Sequence, residues 1–107
     1  MKIFKFGGAS IKDAFGVKNV AHILQQEEVS DCLLVISAMG KMTNAFENIV
    51  IFYVNNDQEK LTESIDFTIN YHIKIISDLF QDKHEIHQKV TLLFDEMIHF
   101  LTRNIAK

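Results

Sequence analysis

The chain opens with Lys2-Ile3-Phe4-Lys5-Phe6-Gly7-Gly8-Ala9-Ser10, and this stretch decides the fold. Its apolar residues favour β structure and predict a short buried strand. Two glycines then end the strand, because a backbone without Cβ atoms can turn sharply and can let a ligand approach closely. A helix is expected to follow, and the free N–H groups of its first turn suit an anion. With Lys5 as a cation and Ser10 as a hydroxyl, the stretch indicates a phosphate-binding turn.

Neither of the two common nucleotide-binding patterns is present in this turn. The Walker pattern needs a Gly-x-x-x-x-Gly-Lys-[Ser/Thr] run, and the dinucleotide pattern needs Gly-x-Gly-x-x-Gly. On the residues alone, an ordinary strand-to-helix turn therefore stays open beside the phosphate-binding interpretation.

A second strand is predicted at Cys32 to Ile36, because a continuous apolar run is typical of a strand that is covered on both faces. Asp13 is the expected N-cap of a helix between the strands, which runs to about Glu27. Strand, helix and strand form a βαβ unit, so the strands are expected to be parallel, with a right-handed crossover. Both turns then lie at the carboxyl ends of the strands, where ligands bind in open α/β sheets.

The first helix contains Gly16, which is expected to weaken it by about 1 kcal/mol relative to alanine. After the second turn, Ser37 to Thr43, the rest of the chain has a helical pattern. Three more helices are predicted, and the last two are expected to pack as an antiparallel hairpin. His72 lies in an apolar stripe and is expected to be partly buried. The expected N-caps are Asn44 with Glu47, Asn56 with Glu59, and Asp82 with Glu85. The stripe of the last helix is Ile86, Val90, Leu93, Met97 and Leu101.

Composition narrows the class of protein. The chain has 107 residues, of which 48% are hydrophobic, so it can bury a core. Its net charge of −3 gives no electrostatic case for nucleic acid or for an anionic membrane surface. Cys32 is the single cysteine and is expected to be a buried core thiol. No apolar run approaches the ~18 residues of a membrane span, and no signal-peptide pattern is seen, so a cytoplasmic location is expected.

His84 and His87 are the strongest metal-ligand pair, since they stand about one helical turn apart. No third ligand lies nearby in the sequence, so a solvated surface pair is favoured over a metal site. No protein metal ligand is therefore predicted.

Two motifs resemble those of a known family. Lys5 to Ser10 resembles the Lys-Phe-Gly-Gly-Thr-Ser motif of aspartokinases, and Val35 to Asn44 resembles the second strand and the Ser-Ala…Thr-Asn turn of that family. Two motifs in the right order at the right separation are more specific than either alone. The resemblance covers nearly the whole chain, but it corresponds only to the first part of an aspartokinase. Ala9 departs from it, because the family usually has threonine there, and this removes a hydroxyl beside the phosphate turn.

The resemblance implies an α/β fold, namely the N-terminal βαβ portion of a three-layer amino-acid-kinase (carbamate-kinase-like) fold followed by a helical hairpin. Residues 1–107 are then an N-terminal fragment of the kinase domain, with the βαβ unit and its loops in 1–44 and helices in 45–107. The small number of predicted strands agrees with a fragment, because only two strands are predicted and a parallel sheet that is buried on both faces needs more than two. The rest of the kinase domain and a regulatory domain are expected to be absent from this stretch.

The implied activity of the parent enzyme is transfer of the γ-phosphoryl group of ATP to the side-chain carboxylate of L-aspartate, with Mg²⁺. This is the first step toward lysine, threonine and methionine. Phosphoryl transfer needs positioning and charge neutralisation more than a protein nucleophile. Lys5 is the implied catalytic residue. The implied ATP phosphate site consists of Lys5, Gly7, Gly8 and Ser10, and the implied substrate-binding residues are Ser37 and Thr43.

Two alternatives stay open beside this interpretation. In the first alternative, the chain is an inactive folding or interaction module of such an enzyme, because half of the site is missing from it. Otherwise it belongs to an enzyme of the same fold with a different substrate, such as glutamate, acetylglutamate, carbamate or a nucleoside monophosphate. The isolated chain is expected to have no activity, and a homo-oligomer is expected because an unpaired hydrophobic strand edge recruits another chain.

Overall fold

The computed structural model describes residues 1–27 and 31–103. The chain divides into two compact units, Met1–Thr43 and Asn44–Lys107. The elements in chain order are β1 (Lys2–Phe6), a short 3₁₀ helix (Gly8–Ile11), α1 (Ala14–Gln26), β2 (Cys32–Ile36), α2 (Met42–Val54), α3 (Gln58–Leu79) and α4 (Glu85–Arg103). None of the helices in this described part is long and apolar enough to cross a membrane.

The first unit contains a parallel pair of strands, as the sequence predicts. β1 pairs with β2 from Lys2 opposite Cys32 to Phe6 opposite Ile36. The rings of Phe4 and Phe6 stack on one face with their centroids 6.4 Å apart. Because side chains alternate along a strand, Ile3 and Lys5 lie on the other face. This second face is open, since Ile3 is 66% exposed whereas Phe4 and Phe6 are half-buried.

β2 is far more exposed than its sequence predicts. The expectation that both of its faces are covered is wrong, because Leu33 to Ile36 all remain exposed, between 41% and 53%. Cys32 is only half-buried, so it is not the buried core thiol that was expected. The physical reason is the size of the sheet. In residues 1–27 and 31–103 it consists of two strands, which is too few to bury a continuous apolar strand.

The helix between the strands begins where the sequence predicts. The backbone N–H of Gly16 donates to Asp13 Oδ1 over 2.9 Å, which makes Asp13 the N-cap of α1. The helix ends at Gln26, one residue before the predicted end. In the segment that connects β1 to β2, the buried side chains are Ile11 of the 3₁₀ helix and Val20 of α1.

The second unit is built from three helices around one apolar cluster. Its buried residues are Ile49 of α2, Leu61 and Ile65 of α3, and Leu101 of α4. The start of α3 therefore meets the end of α4, and the two helices form the antiparallel hairpin that the sequence predicts.

His72 joins all three helices of this unit. Its ring centroid lies 5.3 Å from that of Phe94 in α4 and 6.4 Å from that of Phe46 in α2. Its Nδ1 lies 2.7 Å from the carbonyl oxygen of Thr68, which accepts a hydrogen bond from it. The prediction of a partly buried histidine is confirmed. Thr68 itself is fully buried, and its hydroxyl donates to the Ser64 carbonyl over 2.9 Å.

The three later helices, α2, α3 and α4, do not begin where the sequence predicts. α2 begins at Met42, so Thr43 and Asn44 lie inside its first turn and Asn44 is not its N-cap. Met42 is 1% exposed, and burial of this side chain fixes the start of the helix earlier than the local cap pattern does.

The predicted N-caps of α3 and α4 are also wrong, by one and two residues respectively. α3 is capped by Asp57, whose Oδ1 accepts from the Lys60 N–H over 3.2 Å, while Asn56 has a φ of 56° and belongs to the turn before it. At the start of α4, the Ile86 N–H donates to His84 Nδ1 over 3.0 Å. Histidine therefore takes the place that the sequence gives to Asp82.

Candidate functional site

The two turns predicted to carry the chemistry lie side by side in the first unit. The Ser37 N–H donates to the Phe6 carbonyl over 3.1 Å, which extends the sheet by one hydrogen bond. One step further, the Gly40 N–H donates to the Gly8 carbonyl over 3.0 Å. The turn after β1 is thus bonded to the turn after β2, at the carboxyl ends of two parallel strands. This is the edge of an α/β sheet at which ligands bind.

Gly8 is the point of closest approach between the two turns. A Cβ at this position would stand 2.5 Å from the Gly40 carbonyl oxygen and 2.9 Å from that of Ala38. Real Cβ atoms do not approach backbone oxygens so closely, so only glycine fits there. Gly40 has a φ of 54°, in the left-handed region where glycine carries no steric penalty.

Gly7 has the opposite environment. Among the described residues, and apart from its chain neighbours, no atom lies within 4 Å of the place where its Cβ would stand. Its carbonyl accepts the Ser10 N–H over 3.1 Å, which closes the first turn of the 3₁₀ helix. The sequence could not distinguish the two glycines, whereas the structure separates an open position, Gly7, from a packed one, Gly8.

Lys5 lies on the open face of β1, opposite Val35. Its side chain is exposed, and it makes no ion pair with any other described residue. The neighbouring side chains on this face, Ile3 and Val35, are exposed and apolar. In the described part of the chain, no carboxylate is therefore paired with this ammonium group in competition with an incoming anion.

Ser10 ends the first turn and is exposed. Its carbonyl oxygen lies against the α-carbon of Gly16, so closely that a Cβ on Gly16 would overlap it. Sequence reasoning missed this contact, because it treated Gly16 only as a weak position in a helix. The pair fixes the end of the 3₁₀ helix on the first turn of α1, and with it the backbone of Ser10.

The two substrate-binding candidates differ in their hydrogen bonds. The Ser37 hydroxyl donates to the carbonyl of the next residue, Ala38, over 3.1 Å, and its oxygen can still accept a hydrogen bond. Thr43 is exposed in the first turn of α2, not before the helix as the sequence predicts. All six predicted site residues belong to the first unit. They are Lys5, Gly7, Gly8, Ser10, Ser37 and Thr43.

The histidine pair is engaged with the backbone. His84 Nδ1 accepts the Ile86 N–H, and His87 Nε2 lies 2.9 Å from the Gln81 carbonyl oxygen, to which it donates. Over residues 1–27 and 31–103, no group of three or more histidine, cysteine, aspartate or glutamate side chains is placed to hold a metal ion.

Comparison with known proteins gives two relatives. The chain is 32% identical over 108 residues to Aspartokinase 1, chloroplastic, from Arabidopsis thaliana, and the match covers 97% of this chain and 18% of that protein. It is 26% identical over 101 residues to a Bifunctional aspartokinase/homoserine dehydrogenase, chloroplastic, from Daucus carota, covering 94% of this chain and 10% of that protein. No family model matches the chain. The chain thus spans less than a fifth of the length of these relatives, and it is similar to a short region of aspartokinases.

Proposed function

We propose that the chain forms part of an ATP-dependent aspartate kinase, in which the turn after β1 binds the phosphate of ATP and the turn after β2 binds L-aspartate. The observation that carries this proposal is the hydrogen bond from the Gly40 N–H to the Gly8 carbonyl. It brings together two turns that resemble two aspartokinase motifs, at the sheet edge where α/β proteins bind ligands. The similarity to a short region of two aspartokinases supports the same assignment.

On this proposal, Lys5 neutralises charge on the transferring phosphate. The lysine suits the task because its ammonium group is exposed and unpaired with any described carboxylate. Gly7 lets a phosphate oxygen approach the backbone, since no side chain fills the space at its α-carbon. Gly8 and Ser10 complete the phosphate side. ATP supplies the phosphoryl group, and Mg²⁺ bound to its phosphates neutralises part of their charge, so no metal ligand is required of this chain.

The aspartate side is assigned to Ser37 and Thr43. Both residues are exposed: Ser37 begins the second turn, and Thr43 lies at its end, in the first turn of α2. The Thr43 hydroxyl and backbone N–H groups of the turn can donate to a carboxylate of L-aspartate. The Ser37 hydroxyl donates to the Ala38 carbonyl, so its oxygen can accept a hydrogen bond from the ammonium group of L-aspartate. Because no atom of the chain needs to form a covalent bond with the phosphoryl group, positioning the two substrates is the chief task of this site.

Amide NMR of the isotope-labelled chain tests the proposal. Mg·ATP is expected to move the signals of residues 5–10, and L-aspartate those of residues 37–43. We expect Lys5→Ala to weaken Mg·ATP binding by about 1.5–3 kcal/mol, the range for a hydrogen bond to a charged group. Lys18→Ala is the control, since Lys18 is an exposed lysine on α1. Equal effects of the two variants, or no response of the first unit to either ligand, would reject the proposal.

The exposure of β2 favours a second candidate function, an interaction module without activity of its own. Four consecutive apolar residues of this strand, Leu33 to Ile36, are at least 41% exposed, which is unusual for a strand of a stable sheet. A module of this kind would associate through β2 and would leave the spectra of both turns unchanged when Mg·ATP or L-aspartate is added. The same titration therefore separates the two candidates.

A further inference from the structure

Gly8 makes two backbone contacts with the second turn, and neither of them involves its N–H group. Its carbonyl accepts the Gly40 N–H over 3.0 Å. Its α-carbon faces the carbonyl oxygens of Gly40 and Ala38 so closely that a methyl group could not be placed between them. Gly7, the preceding residue, makes no such approach among the described residues. The glycine pair is therefore asymmetric.

We propose that Gly8 is a positioning residue that sets the second turn against the first one, so that the position of the aspartate-binding hydroxyls depends on a glycine in the phosphate turn. This inference rests on the proposed function for the identity of the ligands. The contact between the two turns does not depend on it. Gly8 thereby has a duty that is separate from any hydrogen bond that its N–H group donates to phosphate.

The chain offers a direct path from Gly8 to the proposed aspartate side. Gly40 lies in a tight turn that the hydrogen bond from the Met42 N–H to the Met39 carbonyl closes over 2.9 Å. Met42 is the first residue of α2, and Thr43 is the second. A displacement of Gly40 is therefore passed within three residues to the Thr43 hydroxyl. The atoms that a Cβ at Gly8 would meet belong to the backbone, which cannot move aside as a flexible side chain does.

Hydrogen exchange of the Gly40 amide tests the contact itself. We expect this amide to be protected in the wild-type chain and in Gly7→Ala, because position 7 has room for a methyl group. In Gly8→Ala we expect it to exchange at least about tenfold faster, because the methyl group breaks the hydrogen bond to the Gly8 carbonyl. Equal exchange rates in the two variants would overturn the inference.

Titrations test the positioning role in a way that a purely structural role would not reproduce. We expect Gly8→Ala to weaken L-aspartate binding, read from the amides of residues 37–43, by about tenfold or more. Pyrophosphate serves as a probe of the phosphate turn. Gly7→Ala is expected to weaken pyrophosphate binding, read from residues 5–10, because its methyl group fills the space proposed for a phosphate oxygen, and to leave L-aspartate binding unchanged. Loss of L-aspartate binding in both variants, or in neither, would overturn the assignment.

Two further measurements keep the inference separate from other failures. Gly8→Ala could unfold the first unit, which would be seen as lost protection of the α1 amides. In that case the contact is tested in the wild-type chain, by the scalar coupling between the Gly40 nitrogen and the Gly8 carbonyl carbon across their hydrogen bond. Its presence supports the contact and its absence rejects it. If all three proteins ignore pyrophosphate and L-aspartate, the proposed function is rejected, and the Gly40 exchange rates still decide whether Gly8 holds the second turn.

Discussion

The α-carbon of Gly16 in α1 lies against the carbonyl oxygen of Ser10, at the end of the 3₁₀ helix, and leaves no room for a side chain. The Gly16 N–H meanwhile donates to Asp13 Oδ1 over 2.9 Å. The first turn of α1 is thus packed onto the end of the proposed phosphate turn through one glycine. Glycine at position 16 would weaken an isolated helix, but here its missing side chain allows α1 to pack against the Ser10 carbonyl.

Gly16→Ala is therefore expected to destabilise the first unit. In a free helix interior the change would gain about 1 kcal/mol. Here the methyl group has to push the Ser10 backbone aside, and overpacking of this kind costs about 1–3 kcal/mol. Urea denaturation, followed through the amide signals of α1, measures the net effect. Asn19→Ala is the control, since Asn19 is exposed on the same helix. A Gly16→Ala chain that is as stable as the control, or more stable, would contradict the close contact.

The cap at His84 gives a prediction for the second unit. Because the Ile86 N–H donates to His84 Nδ1 over 3.0 Å, His84→Ala leaves a donor in the first turn of α4 without its partner. We expect a loss of about 0.5–2 kcal/mol, as for other N-caps, and we expect His84→Asn to retain most of the stability. Thermal denaturation, followed through α4, provides the measurement. His99→Ala, at an exposed position of the same helix, is the control and should have little effect.

Thr43→Val tests the division of the two substrates between the turns. The exchange keeps the β-branched shape and removes the hydroxyl, so the first turn of α2 should be preserved. Losing a hydrogen bond to a charged ligand costs about 1.5–3 kcal/mol, and we expect L-aspartate binding to weaken accordingly while Mg·ATP binding holds. The amide titrations described for the proposed function measure both. Thr91→Val, at an exposed position in α4, is the matched control. A loss of Mg·ATP binding with L-aspartate binding intact would exchange the assignments of the two turns.

Local chemistry was enough to predict the frame of the first unit. The apolar runs at Lys2–Phe6 and Cys32–Ile36 gave both strands, and the spacing between them gave their parallel pairing. Asp13 was identified as a cap because its carboxylate can reach an N–H group three residues ahead, a contact within one turn of chain. The local patterns that succeeded are the apolar strand runs and the cap at Asp13, whereas the cap patterns of the later helices failed.

Several of the predictions that failed depend on contacts between distant segments. The prediction that Leu93 belongs to the buried stripe of α4 is wrong, because helical spacing alone cannot separate the adjacent apolar residues Leu93 and Phe94. In the structure, Phe94 packs against the His72 ring, whereas Leu93 is 64% exposed. In the same way, Gly7 and Gly8 look alike until Gly40 approaches only one of them. The cap at His84 was missed because histidine is not among the residues preferred at that position.

The exposure of β2 leads to the last prediction, that the 107-residue chain self-associates through this strand and has no measurable aspartate kinase activity alone. Leu33 to Ile36 are exposed, and no charged residue interrupts the strand. An uncharged apolar strand with a free edge is a template for pairing with another chain. Activity is expected to be absent because the resemblance to aspartokinases implies that the two turns form only one wall of the site, and positioning contributes about 7–11 kcal/mol in assembled sites.

Sedimentation from micromolar to millimolar chain concentration, together with ADP release in the presence of ATP, Mg²⁺ and L-aspartate, measures both parts. Leu33→Lys places a charge on the exposed strand and is expected to reduce self-association, because charged side chains protect strand edges. Leu92→Lys is the matched control, since it makes the same change at a leucine of α4 that is 56% exposed, close to the 49% of Leu33. A wild-type chain that stays monomeric throughout, or equal reductions by both variants, would rule out association through β2. Clear ADP release would show that the two turns of this chain already hold enough of the site for catalysis.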